Sequence, residues 1–206
     1  MIFMSKPNKS KAKIFVVSGS VGAGKDTILR AIYRRRSDLY WAKTTTTRQP
    51  RPGETQGNPY YFISKSAFQD LIAQDKLFEY ENVYADHYFG MTKSEIKQAL
   101  KQDQNIIWQI DYRGYNTIKR KYKNLFQDRL VSIFILPPSI KVAEQRIRQR
   151  SQLPEKIIKE RLELAKKEIQ AGQDYDYTVI NKQGRLNLAI DDILAIIDQE
   201  TGIETR

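Results

Sequence analysis

The sequence predicts an α/β protein: a parallel sheet flanked by helices, carrying two insertions. Three observations lead there. Apolar, β-branched runs at 13–18, 105–110 and 130–136 are continuous rather than alternating, the pattern of strands buried on both faces. Stretches with apolar residues at helical spacing lie between them. A Thr/Pro/Gly/Tyr-rich block at 41–62 and two charged helices over 139–170 differ in composition from their surroundings and read as insertions.

Taken in order, residues 1–12 read as a basic, frayed tail. Lys13 to Ser18 is a buried strand ahead of a glycine-rich turn. Asp26 to Arg36 carries Ile28, Leu29 and Ile32 on one helical face. Residues 41–62 read as turns and short strands. Ser66 to Asp75 is a helix with Phe68, Leu71 and Ile72 inward, and Lys93 to Gln102 is another, followed by a strand at Asn105 to Ile110. Leu130 to Leu136 is a strand stopped by Pro137 and Pro138. Charged helices follow from Ser139 to about Gln152 and from Pro154 to about Gln170. Val179 and Ile180 form a last strand, and Leu186 to Gln199 a closing helix. The expected core is 13–40, 94–140 and 171–206, with insertions at 41–93 and 141–170.

A chain of 206 residues is one domain or a core with sizeable insertions. It has no cysteine, which excludes a disulfide scaffold, a thiolate metal site and a cysteine nucleophile. The single histidine, His87, excludes the usual multi-histidine zinc sites. No apolar run approaches the ~20 residues that span a bilayer. The first 13 residues hold too short an apolar stretch for a secretory signal. A cytoplasmic protein without a membrane partner is expected. The net charge of +11 asks for an anionic partner, either nucleic acid or a phosphorylated small molecule. Residues 112–150 hold ten Lys/Arg and two acids, and the plain reading of such a run is a solvated face.

Gly19-Ser20-Val21-Gly22-Ala23-Gly24-Lys25 follows the first strand and opens the first helix, matching the G-x4-G-K part of a phosphate-binding loop. Its N–H groups can point at phosphate oxygens, the helix N-terminus adds positive partial charge, and Lys25 would reach the β- and γ-phosphates. The strand–loop–helix context argues against a glycine-rich turn with an incidental lysine. Where the pattern has a hydroxyl residue for Mg2+, this chain has Asp26, with Thr27 next. A carboxylate is a hard-oxygen ligand for Mg2+, whereas without metal its charge repels a triphosphate. Metal should therefore matter more here, not less.

Thr44-Thr-Thr-Thr-Arg48-Gln-Pro-Arg51-Pro-Gly53-Glu54, with Gly57 and Tyr60, resembles the GMP-binding segment of guanylate kinases. Further segments match in order: Phe78-Glu79-Tyr80; His87-Tyr88-Phe89-Gly90; Ile110-Asp111 with Gly114; Ile135-Leu136-Pro137-Pro138-Ser139; the lid at Arg146 to Arg150; and Tyr175-Asp176-Tyr177 through Asn181. The resemblance spans about 13–200. It implies a P-loop core, a GMP-binding insertion at 41–93, a helical lid at 141–170, and transfer of a phosphoryl group from Mg2+-ATP to GMP or dGMP. By the resemblance, Arg48 and Arg51 clamp the GMP phosphate, aided by Tyr60 and Glu54. Glu79, Asp111 and Thr44 read the guanine. Lys25, Arg146, Arg150 and Arg161 neutralise transition-state charge. Residues 19–27 hold ATP, with Asp26 on the metal. Arg148, between two lid arginines, reads as a solvated helix residue, His87 as a turn residue and Trp108 as core.

The chain departs from the family pattern at five places in the site. Asp26 replaces the loop hydroxyl. Gln109 replaces an Asp expected near Mg2+. Phe89 replaces a tyrosine at the GMP phosphate. Met91 replaces a hydroxyl residue near guanine O6. Pro59 replaces an Asp. Three other readings follow: a kinase of the same fold with a sugar-phosphate acceptor, as in ribose bisphosphate phosphokinases; a non-catalytic module binding nucleotides or phosphoproteins; and a basic nucleic-acid binder. The intact loop opposes the module. A nucleic-acid binder would need exposed aromatics interleaved with the charge, and Tyr60, Tyr61 and Tyr88 already have assignments.

Overall fold

The structure, a computed structural model, describes residues 11–82, 86–150 and 154–202, with Arg150 described for its backbone only. In chain order the elements are β1 (Ile14–Gly19), α1 (Lys25–Arg35), β2 (Tyr40–Ala42), β3 (Thr45–Thr46), β4 (Tyr61–Phe62), α2 (Lys65–Ala73), β5 (Leu77–Asn82), β6 (Tyr88–Thr92) and α3 (Lys93–Lys101). There follow β7 (Ile106–Gln109), α4 (Tyr112–Lys121), α5 (Lys123–Phe126), β8 (Leu130–Leu136), α6 (Ile140–Arg150), α7 (Glu155–Ala171), β9 (Tyr177–Ile180) and α8 (Leu186–Thr201). The tail expected at 1–12 falls, as far as residue 10, outside the described residues.

Five strands form one sheet in the order β2-β7-β1-β8-β9, and every pairing in it is parallel. Its side chains feed two cores, as alternation along a strand requires. Phe15 and Val17 of β1 face α1 and α8, packing with Ile28, Leu29, Ile190 and Ile193. Ile14 and Val16 face the other way, toward α3, α4 and α5, among Ile96, Tyr115, Ile118 and Phe126. Trp108 is fully buried in this second core, as its place in a strand suggests. A second sheet, ordered β4-β3-β6-β5, is mixed: β3 pairs β4 in parallel and β6 antiparallel, and β5 pairs β6 antiparallel. Among the described residues no helix is long and apolar enough to cross a membrane.

Three elements depart from the sequence expectation. β5 and β6 stand where no strand was expected, because they carry polar residues on the face that lines a cleft rather than a core. The basic run after residue 111 is not wholly a solvated face. Its first half is α4, which buries Gly114, Tyr115 and Ile118 and leaves Lys119, Arg120 and Lys121 in the last turn, where the helix dipole favours cations. Asp111 caps that helix by accepting from Gly114 N–H at 2.8 Å.

A buried hydroxyl ties the far end of the sheet together. Ser132 Oγ donates to Asp176 at 2.7 Å and accepts from Asp176 N–H at 3.0 Å, while Tyr115 O–H approaches it at 3.0 Å. Ser132→Ala leaves the Tyr115 hydroxyl buried without a partner. It should lower stability by about 1–3 kcal/mol in urea unfolding, with the slope unchanged.

Candidate active site

The loop between β1 and α1 spans residues 20–24. Gly22 holds φ +80°, and a Cβ there would lie 2.8 Å from Ala143 O of α6, so the loop curls directly against that helix. Its inward side is densely bonded. Arg146 of α6 donates to Gly22 O at 3.2 Å, Ala23 O at 3.3 Å and Asn181 O at 3.0 Å. Asn181 Nδ2 donates to Ala23 O at 2.7 Å. From α7, Glu168 accepts from Val21 N–H at 2.7 Å. Burial pushes the Glu168 carboxyl up to about 7, a repulsion from Asp111 adds to this, and the Val21 N–H and Lys25 oppose it.

Lys25 opens α1. Its ammonium lies 3.7 Å from Asp26 Oδ1. Burial lowers its pKa, while Asp26, Asp111 and Glu168 pull it back up. Gln109, at the end of β7, donates to the same Asp26 oxygen at 3.0 Å. Thr27, the next residue, is exposed.

Facing the loop is a cleft lined by Asp26, Thr44, Arg48, Arg51, Tyr60 and Gln109, among others. Arg48 is buried to 7 % exposure and grips both Glu54 oxygens, at 2.6 and 2.8 Å. Its guanidinium lies over the rings of Tyr60 and Phe62, at 5.1 and 5.4 Å. Glu54 also accepts from the Arg51 N–H at 2.8 Å, and these partners, Arg48 first, hold its carboxyl down at about 2. The Arg51 side chain is exposed at the rim. Tyr60 meets Phe89 edge-on at 5.9 Å, and its phenol is raised by burial.

A second cleft shares Thr44, Tyr60 and Gln109 with the first and adds Lys25, Glu79, Glu81, Phe89 and Asp111. Glu79 is 8 % exposed, on β5 opposite Met91. It presses on the first turn of α4, where a Cβ on Gly114 would stand 2.8 Å from its Oε2. Burial pushes its carboxyl up to about 8, helped by repulsion from Asp111 and Glu81 and opposed by the Met91 N–H. Arg113 bridges the rim, 3.3 Å from Asp111 and 3.7 Å from Glu81.

Lys25, Asp26, Thr44, Arg48, Arg51, Tyr60, Glu79 and Asp111 thus line two adjoining clefts, although they come from positions far apart in sequence. Glu54 also lines the first cleft, where it engages Arg48. Other expected residues fall elsewhere. Arg146 is bonded to loop carbonyls. Met91 is fully buried in the core, and its side chain lines neither cleft. Arg161 is half-buried on the face of α7 that carries Ala165 and Glu168. The Arg150 side chain lies outside the described residues. Arg148 is exposed and paired with Glu144 and Glu155, as a solvated residue should be. His87 lines neither cleft. Sequence reasoning missed Glu168, Glu81 and Arg113. For Glu168 a signal existed: an acid two turns after Arg161 on the half-apolar face of a helix.

A glycine loop between a parallel strand and a helix, facing an arginine-lined cleft beside a second sheet, is the arrangement of a P-loop kinase-like fold. The guanylate kinase family model matches residues 11–200. Guanylate kinase of Carboxydothermus hydrogenoformans is 38% identical over 190 residues, covering 92% of this chain and 89% of that one. Guanylate kinase of Rickettsia prowazekii is 39% identical over 173 residues, covering 84% and 85%. The crystal structure of guanylate kinase from Anaplasma phagocytophilum superposes with a TM-score of 0.72 at 24% identity, covering 94% of this chain and 88% of that one, which shows the fold. The chain belongs to the guanylate kinase family.

Glu168 makes the loop's backing sensitive to pH. Its folded pKa of about 7 lies above the ordinary 4.5, so the native state keeps this proton after the unfolded chain has lost it. The group's contribution to stability therefore falls as pH rises from about 4.5 to about 7 and is level above that. Thermal unfolding of Glu168→Gln should lack this fall, so that the variant gains on the wild type across that window. Parallel melting curves at all pH values would refute the assignment.

Proposed function

We propose that the chain transfers the γ-phosphoryl group of ATP to the phosphate of GMP or dGMP, giving ADP and the nucleoside diphosphate. The observation that carries this reading is the meeting of the two clefts at Thr44, Tyr60 and Gln109, with Asp26 lining the first and Lys25 the second. One cleft offers guanidinium groups to a phosphate, and the other offers the buried Glu79 carboxyl, with Asp111 beside it, to a base. Family membership supports it. In this reading residues 13–40, 94–140 and 171–206 are the P-loop core, 41–93 the acceptor domain and 141–170 the lid. The cytoplasm is the compartment that fits such substrates.

The triphosphate lies along residues 19–27, where Val21 already gives its N–H to Glu168, with Lys25 following the γ-phosphoryl as it moves. Arg48 and Arg51 hold the GMP phosphate, with Tyr60 as a neutral donor. Glu54 acts through Arg48, whose fork it pre-orients. Glu79 accepts from guanine N1–H and the 2-amino group, assisted by Asp111, and Thr44 offers its hydroxyl. Adenine lacks that donor pair and leaves a buried carboxyl unmatched. Arg146 braces the loop, and Arg150 and Arg161 add positive charge as the lid closes. Transfer is in line and rests on positioning and charge neutralisation, without a covalent intermediate or an obligatory base. Closure keeps water from competing as the acceptor.

Mg2+ bound with ATP neutralises phosphate charge. The donor set fits it: Asp26 supplies one hard oxygen beside the loop lysine. The described residues contain no group of three or more potential metal-ligating side chains, so the remaining ligands would be phosphate oxygens and water.

Lys25→Ala should lower kcat by roughly a hundredfold or more while the melting temperature is kept, because the moving charge loses its partner. Wild-type turnover in that variant would overturn the loop assignment. Glu79→Gln should weaken GMP binding by about 1–3 kcal/mol and narrow the gap to AMP. Because its carboxyl sits at about 8 in the empty cleft, GMP must displace a proton at neutral pH. Affinity should rise with pH up to about 8, with a proton released on binding, and both features should be missing in Glu79→Gln. Calorimetry in two buffers of different ionisation enthalpy reads that proton directly.

A further inference from the structure

Gln109 has no place in the mechanism above, yet it stands where the two clefts join. It ends β7, paired in register with Val17 of β1, so its side chain emerges beside the loop that follows β1. Its Nε2 donates to Asp26 Oδ1 at 3.0 Å, and Lys25 Nζ lies 3.7 Å from that same oxygen. The Asp26 carboxylate is 45% exposed, so burial alone does not fix its orientation. An amide and an ammonium both approach its Oδ1. A carboxylate at 109 could not donate, and it would put two negative charges within hydrogen-bond distance beside the phosphates. The acid after the loop lysine and the amide at the strand end therefore suit each other chemically.

We propose that Gln109 is a positioning residue, whose amide holds the Asp26 carboxylate in the orientation that receives the divalent cation of the nucleotide. The proposal rests on the reading of Asp26 as the metal-holding residue. It requires the two side chains to act as a unit, so that removing the amide matters only while Asp26 is acidic.

The test is binding, not turnover. ATP affinity of the full chain is measured with a chelator and with saturating Mg2+, and the ratio is the metal enhancement. It is compared in the wild type, Asp26→Asn, Gln109→Leu and the double variant, with Gln109→Ala replacing Gln109→Leu should the leucine variant not fold. Asp26→Asn is expected to lose most of the enhancement. Gln109→Leu should lose about tenfold of it, the scale of one hydrogen bond to a charged group, with metal-free ATP affinity within about twofold of wild type. In the Asp26→Asn background the Gln109 substitution should change nothing further.

If Asp26→Asn keeps the full enhancement, the metal reading of Asp26 falls and the positioning role falls with it. If Asp26→Asn loses it but the Gln109 variant does not, the positioning role alone is overturned. The same holds if the Gln109 substitution costs an equal factor in both backgrounds, or lowers metal-free affinity as much as metal-bound affinity.

Discussion

A loop that presents its N–H groups to phosphate must have its carbonyl side satisfied from within, and much of this molecule is arranged to do so. Arg146 of α6 and Asn181 at the end of β9 donate to carbonyls of the five-residue turn between β1 and α1, while Glu168 of α7 accepts from its Val21 N–H. None of these bonds needs a nucleotide. The loop is held in its curled form before phosphate arrives, so binding orders little that was free. The same bonds anchor α6 and α7 to the loop.

The cations of the clefts face a related demand. An unpaired guanidinium or ammonium in a cleft is costly, and Arg48 has Glu54 beside it, Lys25 has Asp26, and Arg113 at the rim has Asp111 and Glu81. These acids fix the geometry of the cations as well as their charge. Glu79 is the exception: burial and its neighbours Asp111 and Glu81 push its carboxyl up to about 8. The first cleft is ordered by ion pairs, while the second holds one buried carboxyl whose charge is opposed.

The main sheet was legible because its strands are buried on both faces and read as unbroken apolar runs. β5 and β6 were not, since they lack an unbroken apolar run; in β5 polar residues alternate with apolar ones, as in Phe78-Glu79-Tyr80-Glu81, because one face lines a cleft. α4 hid behind its own charge: two inward side chains, Tyr115 and Ile118, are too few for a clear period. In the site, the residues fixed by local motif were readable, such as Lys25 in its loop and Arg48 and Arg51 in their Pro/Gly turn. Arg146 bracing the loop and Met91 lying in the core depend on which way a helix or strand is rotated in the assembled fold, and no local pattern carries that.

The stretch from Trp108 to Asp111 ties the two clefts to one strand end. Trp108 and Ile110 are buried in the core, and Gln109, Ile110 and Asp111 all contribute to the second cleft. Gln109 reaches the loop through Asp26, while Asp111 caps α4 beside Glu79 at the acceptor edge. Both groups sit on one backbone, two residues apart, and that backbone is pinned by a fully buried tryptophan. Any shift of the strand end would move the Gln109–Asp26 contact and the Asp111 cap of α4 together, so the two clefts are coupled through one backbone rather than through two independent loops.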